Sequence, residues 1–178
     1  MRPTIKSGPD KSRPYDGHHR HSMRLQHYDY AKTGAYFVTI CTYNRTCTFG
    51  EVTGSLMIQN EAGRMVESIW CAIPGHYSNV SIDAFVVMPN HVHGILFITK
   101  DLVGARFIAT ESIAPNLGEV VRAFKARCSH AIDKIHGKGT PLWQRNYYEH
   151  VVRDEDDLMR IREYIENNPT QWALDEEN

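Results

Sequence analysis

Two histidines one residue apart, His91 and His93, carry the first chemical suggestion in the chain, in Pro89-Asn90-His91-Val92-His93-Gly94-Ile95-Leu96-Phe97-Ile98. The flanking residues read as a β-hairpin, and successive strand residues point to opposite faces. His91 and His93 therefore leave one side of the strand together while Val92 leaves the other. Two imidazoles held side by side on a rigid strand make a ready pair of metal ligands. On its own a His-x-His in a strand is more often structural than functional. A second element gives it weight: Glu163-Tyr164-Ile165-Glu166-Asn167-Asn168-Pro169. On a helix, Tyr164 and Asn168 lie one turn apart on a shared face.

A divalent ion bound by His91, His93 and the amide oxygen of Asn168 would have three neutral protein ligands and keep its full charge. Positions would remain for phosphate oxygens, and such an ion polarises a phosphate and orients it for attack. The ligand set suits Mn²⁺ at least as well as Mg²⁺, because imidazole is softer than magnesium prefers, and it is not the usual zinc set. Tyr164 then suits the nucleophile: a phenol (pKa ~10) is a moderate leaving group, so a phosphotyrosine link can be reversed by a sugar hydroxyl. The bland alternative is a tyrosine at the edge of an apolar stripe, packed in the core with its hydroxyl satisfied at the rim. Which reading holds depends on whether the last helix reaches the histidine face.

Further candidates cluster in Trp143-Gln144-Arg145-Asn146-Tyr147-Tyr148-Glu149-His150. Packing across a sheet is favoured for Tyr147, whereas His150, a polar ring between apolar neighbours, is a candidate for supporting the site from behind. Asp83, on the strand before the turn, is either a surface residue or a second such support. Arg122 and Lys125 read first as a solvated helix face and second as phosphate contacts.

The elements that must position these residues follow from periodicity. Ala35 to Thr42, rich in aromatic and β-branched residues, predicts a strand, followed by an irregular stretch containing Gly50 and Gly54. A helix is expected from about Gln59 to Ile73, closed by Pro74-Gly75, then strands near Val80–Met88 and His91–Thr99. A second helix spans Leu117 to Ile135, a short strand falls within Leu142–Arg153, and a last helix runs from Glu155 to Asn168, ended by Pro169. Leu158, Ile161 and Ile165 form its core-facing stripe, and its acidic first turn suits the helix dipole. Strand, helix, strand, strand, helix, strand is the order of a ferredoxin-like split βαβ unit: an α+β fold with an antiparallel sheet, helices on one face, and an added C-terminal helix carrying the tyrosine.

The chain has 178 residues, 42% hydrophobic, enough for one compact domain with short extensions. Residues 1–22 are polar, proline-containing and basic, and read as a flexible arm; 23–172 form the catalytic domain; 173–178 form an acidic tail. A basic arm and an acidic tail cancel in the net charge of −1 while leaving positive charge for phosphates. Cys41, Cys47, Cys71 and Cys128 are scattered, which indicates neither a zinc knuckle nor a disulfide scaffold; buried or half-buried thiols are expected. No apolar run approaches the ~20 residues of a membrane span, and no signal-peptide order opens the chain, so a cytoplasmic protein without membrane partners is expected.

Met88-Pro89-Asn90-His91-Val92-His93-Gly94 resembles the HUH motif (histidine, bulky hydrophobic, histidine) of single-tyrosine transposases. Trp143-Gln144-Arg145, Tyr148-Glu149-His150, Tyr164-Ile165 and Asn167-Asn168-Pro169 resemble the REP-associated tyrosine transposase branch. So do Tyr36-Phe37-Val38-Thr39 and Leu117-Gly118-Glu119-Val120-Val121-Arg122-Ala123-Phe124-Lys125, and the likeness runs from about Arg24 to Trp172. Each motif is modest alone; all of them in order are specific.

The resemblance implies a ferredoxin-type domain that binds single-stranded DNA at imperfect hairpins and cuts it with a divalent metal, Mg²⁺ or Mn²⁺. Tyr164 would be the nucleophile, joined to the DNA 5′ phosphate, and His91 and His93 the metal ligands. Asn168 would take the polar position after the tyrosine, where related insertion-sequence enzymes often have glutamine. Arg20 of the arm, Arg24 just after it, Arg122, Lys125 and Arg127 of the second helix, and Arg145 would contact DNA. Such proteins occur as monomers or homodimers. The competing reading keeps the fold and the hairpin binding but drops catalysis, and the intact His91, His93, Tyr164 and Asn168 weigh against it. A histidine-triad phosphohydrolase would need a third histidine at position 95, where the chain has Ile95.

Overall fold

The computed structural model describes residues 33–99, 115–137 and 139–172. The arm over 1–22 with its Arg20, Arg24 just after it, and the tail over 173–178 lie outside the described residues.

The chain opens with strand β1 (Gly34–Cys41) and a 3₁₀ turn at Tyr43–Arg45, followed by strands β2 (Gly50–Thr53) and β3 (Leu56–Gln59). Helix α1 (Glu61–Cys71) and the short α2 (Ile73–His76) lead to β4 (Val80–Met88) and β5 (His91–Ile98). Helix α3 (Leu117–His136), β6 (Tyr148–Val152) and α4 (Glu155–Trp172) complete it. The main sheet has the order β4-β5-β1-β6, with every neighbouring pair antiparallel. This is the expected split βαβ arrangement, with β5 and β1 central and β4 and β6 at the edges.

Four local expectations are corrected. The stretch around Gly50 and Gly54 is a separate hairpin, β2 with β3; its strands are short and half-exposed, so hydrophobic alternation is weak. The signal was its turn, in which Gly54 at φ 64 opens a two-residue loop between Thr53 and Leu56. Pro74 does not close α1 but sits in the first turn of α2, where its missing N–H costs nothing. Pro169 does not end α4, which continues to Trp172. The lost backbone bond falls near the helix end, and the extra turn packs Trp172 against His91, ring centroids 5.8 Å apart. Cys47 and Cys71 are exposed rather than buried, and all four cysteines are free.

The helices form where their caps and stripes demand. Asn60 accepts a hydrogen bond from the Gly63 amide to start α1, and Asn116 and Glu119 make a reciprocal capping box on α3. Asp154 accepts from the Asp157 amide at 2.8 Å at the start of α4. Each face of the sheet has its own core. Tyr36, Val38, Ile40, Val92 and Leu96 pack with Trp70 of α1 and Phe124 of α3. Phe37 and Ile95 pack on the other face with Leu158 and Ile165 of α4. Among the described residues, no helix is long and apolar enough to cross a membrane.

Gly94 lets α1 approach the centre of the sheet. A Cβ there would lie 2.3 Å from Cζ2 of Trp70, whose ring is fully buried. Gly94→Ala should therefore destabilise the fold by about 2 kcal/mol, as overpacking does. Urea unfolding checks this, and an unchanged midpoint would mean the Trp70 ring yields freely.

Candidate active site

Antiparallel pairing of β1 with β5 sets Thr39 opposite His93 and Cys41 opposite His91. All four point to the face covered by α4, where a cavity of about 690 Å³ is lined by Thr39, His91, His93, Tyr164, Asn168 and Trp172, among others. The last helix therefore reaches the histidine pair. Oη of Tyr164 lies 3.3 Å from Nε2 of His93, and the two rings are 5.1 Å apart. The imidazoles of His91 and His93 are 4.4 Å apart, and Phe37 stacks on His93 at 5.3 Å.

Hydrogen bonds fix how the imidazoles present their nitrogens. Nδ2 of Asn90 donates to the Arg45 carbonyl at 3.2 Å, which leaves Oδ1 of Asn90 as an acceptor facing Nδ1 of His91 at 2.7 Å. His91 must then carry its proton on Nδ1 and keep a lone pair on Nε2. That Nε2 is buried and has no partner in hydrogen-bond geometry. Nδ1 of His93 is 2.8 Å from Oγ1 of Thr39, which can accept from the Nδ1–H tautomer and leave the Nε2 lone pair facing Tyr164.

Burial pushes the pKa of His91 down to about 4, opposed by the nearby Asn168 amide and assisted by the charge of Arg45. Burial, with His91 alongside, pushes His93 down to about 2. Both rings are thus neutral near pH 7, the form that binds metals. Among the described residues no three His, Cys, Asp or Glu side chains are grouped to hold a metal. The donor set that fits is the one read from the sequence: two imidazoles, one with an orphaned buried nitrogen, and the buried Asn168 amide. Partners on the far ring nitrogens are a common feature of metal-binding histidines. Sequence reasoning missed Thr39, Asn90 and Trp172. The strand register could have offered Thr39, but the other two depend on the turn and on the helix passing Pro169.

No protein-family model matches the chain. It is 40% identical over 168 residues to an uncharacterised protein of Haemophilus influenzae, covering 89% of this chain and 93% of that one, and shares its family. A second Haemophilus influenzae protein, provisionally named a REP-associated tyrosine transposase, is 24% identical over 147 residues, covering 80% of this chain and 74% of that one. The fold matches a solved REP-associated tyrosine transposase bound to a REP hairpin, with a TM-score of 0.58 and 20% identity over 86% of this chain and 76% of that one. The chain is thus similar in sequence and in fold to REP-associated tyrosine transposases.

Neither Asp83 nor His150 lines the cavity. Both hold α4 instead. On edge strand β6, Nε2 of His150 lies 2.8 Å from Oδ2 of Asp157. On the opposite edge, Asp83 takes a forked pair of hydrogen bonds from Arg162, Nε to Oδ1 at 3.2 Å. Asp83 can do this because β4 bulges between Ile82 and Phe85, where two residues face one on β5. Of the cationic candidates, Arg122, Lys125 and Arg145 border one shallow depression. Arg122 and Arg145 are exposed, and Arg127 is half-buried. Nζ of Lys125 donates to the Gln144 and Arg145 carbonyls, tying α3 to the segment before β6.

Hydrogen bonding from Arg162 holds the Asp83 carboxyl below its ordinary value of 3.8, against a smaller opposing effect of burial. A folded-state value below the unfolded one means that this stabilisation is present above pH 3.8 and lost as pH falls through the depressed value. Asp83→Asn should lower stability at pH 7 and lose less on acidification than the parent. Melting temperatures from pH 7 to pH 3 check this, and parallel curves would remove Asp83 from the acid response.

Proposed function

We propose that the protein cleaves and rejoins single-stranded DNA at hairpins, through a covalent link between Tyr164 and a 5′ phosphate. The observation that carries this reading is the tyrosyl oxygen 3.3 Å from the imidazole of a buried, neutral histidine pair. The hairpin-bound structure of the similar transposase supports the choice of substrate class.

Tyr164 lies 42% exposed at the cavity mouth, so a strand can reach its hydroxyl. In the cleaving step Oη forms a bond to phosphorus and loses its proton, while the bond from phosphorus to the 3′ oxygen breaks and that oxygen leaves as a hydroxyl. Bond energy is retained in the phosphotyrosine, so a 3′ hydroxyl can attack it and release Tyr164. His91, His93 and Asn168 would hold Mg²⁺ or Mn²⁺, which when bound supplies positive charge to the phosphate. Phe37 packs behind both the His93 and Tyr164 rings and limits their tilt. Arg122, Arg127 and Arg145 provide positive charge for the backbone of the DNA.

Labelled hairpin DNA incubated with Mn²⁺ or Mg²⁺ should give a covalent adduct on a denaturing gel, absent with Tyr164→Phe. An adduct that survives Tyr164→Phe would move the nucleophile to Tyr147 or Tyr148, which also line the cavity. Hairpin binding without any adduct in the wild type would reduce the protein to a binding module. His91→Ala should cut cleavage by more than about a hundredfold, as losing several kcal/mol of charge stabilisation would, with little change in hairpin affinity.

Nε2 of His93 is both the acceptor facing the Tyr164 hydroxyl and the lone pair offered to a metal, and these uses exclude each other. Tyr164→Phe should therefore bind Mn²⁺ at least as tightly as wild type by calorimetry. Weaker binding would show that the phenol helps to hold the ion.

A further inference from the structure

Arg45 sits at the rim of the same cavity in an unusual backbone state. Asn44 and Arg45 are the two non-glycine residues with positive φ among those described, at 52° and 53°. Asparagine tolerates this region; arginine adopts it rarely and at a cost in backbone strain. The surroundings over-determine the turn. The Arg45 amide donates to the Thr42 carbonyl at 3.1 Å, and the Thr46 amide to the Tyr43 carbonyl at 3.2 Å. The Arg45 carbonyl accepts from Asn90, the same amide that orients His91. One side chain thus sets both the arginine and the histidine.

The cavity has a distinctive composition. Among the described residues Arg45 is its one arginine or lysine, and neither aspartate nor glutamate lines it. Among the described residues no carboxylate pairs with the Arg45 guanidinium, although its charge adds to the lowering of His91 by burial and opposes the raising of Cys41 by burial. The remaining wall combines the aromatic rings of Tyr148 and Trp172 with the amides of Gln144, Asn146 and Gln171. Antiparallel bonds bring this wall in: the Gln144 amide donates to the Cys41 carbonyl and the Tyr43 amide to the Leu142 carbonyl, both at 2.9 Å, which makes a bridge between Thr42 and Trp143 just past the end of β1. An unpaired cation, aromatic rings and amides, with no carboxylate beside them among the described residues, match the phosphate, the flat face and the polar edges of a nucleotide.

We propose that this cavity is a subsite for one unpaired nucleotide beside the cleaved phosphate, with Arg45 gripping that nucleotide's own phosphate and the aromatic and amide wall taking its base. Arg45 offers a forked donor pattern suited to two phosphate oxygens. A single-stranded residue can enter because its base is free to leave the stack, which a paired base cannot do without cost. The subsite rests on the DNA-cleaving reading but makes its own demand, that one position in the strand matters more than its neighbours.

Binding measured without metal separates the two. The full-length Tyr164→Phe protein is used to select DNA from a pool of hairpins with randomised unpaired flanks, in EDTA. The selected DNA is then scanned, one position at a time, with abasic sites and with neutral methylphosphonate linkages. One abasic position should weaken binding by about tenfold or more, the scale of losing a stacked base, and one adjacent methylphosphonate should weaken it as well. Adding Arg45→Gln should abolish the methylphosphonate effect and leave the abasic effect. Arg122→Gln, on the outer face of α3, should lower affinity for all these DNAs alike. Arg45→Lys, which retains charge without the fork, should keep part of the linkage effect, and it provides the comparison if Arg45→Gln fails to fold. Flat scans, or a linkage effect that persists in Arg45→Gln, overturn the subsite. Flat scans from a protein that forms the tyrosyl adduct overturn the subsite alone. A one-position footprint from a protein that never forms the adduct overturns the cleavage reading and keeps the subsite.

Discussion

Strands β1 and β5 run antiparallel through the middle of the sheet, and a strand repeats every two residues, so each presents alternate side chains to two different environments. Val92, Leu96, Tyr36, Val38 and Ile40 go to the face under α1 and α3, where the larger core is built. His91, His93, Ile95, Phe37 and Thr39 go to the face under α4. The same alternation that buries the aliphatic residues forces the two imidazoles together, with Thr39 beside one of them. A shift of β5 by one residue would empty the site and place two histidines against Trp70. The chemistry is in this sense tied to the register that holds the fold together.

A second requirement is that α4 cross that face at the right height. Its apolar stripe of Leu158 and Ile165 supplies the burial, but such a stripe can slide or roll over a flat sheet. Polar contacts from both edge strands restrict it: His150 meets Asp157 near the start, and Asp83 meets Arg162 half a turn before Tyr164. Beyond Tyr164 the helix is held by the cavity itself, through Asn168 and through Trp172 on His91. The tyrosine thus stands where the helix passes from sheet support to site support. On the β5 side, Asn90 locks the His91 tautomer from behind, so the reactive nitrogens need no rearrangement to face the cavity.

The order of elements and the faces of β1, β5 and α4 were legible in the sequence because they are written as periodicity, in Tyr36 to Ile40, in His91 to Ile98, and in Leu158, Ile161 and Ile165. The grouping of His91, His93, Tyr164 and Asn168 was legible as spacing, and the structure brings those four together. What escaped were features without a period. The β2–β3 hairpin is too short and too exposed to alternate clearly. Pro169 normally predicts a helix end, and the packing of Trp172 outweighs it. Asp83 and His150 were read as possible supports of the site from behind, and in the structure each bonds to a residue of α4. Lys125 illustrates the same limit: its place on a polar helix face suggested solvent or phosphate, whereas its ammonium binds two backbone carbonyls.

The bulge in β4 changes how many positions that strand can offer. A regular strand gives one residue to each face per repeat, so two adjacent residues cannot serve the same partner. Between Ile82 and Phe85 both intervening residues turn to α4: Ala84 joins the apolar layer and Asp83 takes the arginine. One repeat thus supplies a packing residue and a charge together. Residue count therefore matters here as much as residue type. Exchanging Ala84 for another small apolar residue leaves the arrangement whole, whereas deleting either residue makes the ladder regular at the expense of one of the two tasks.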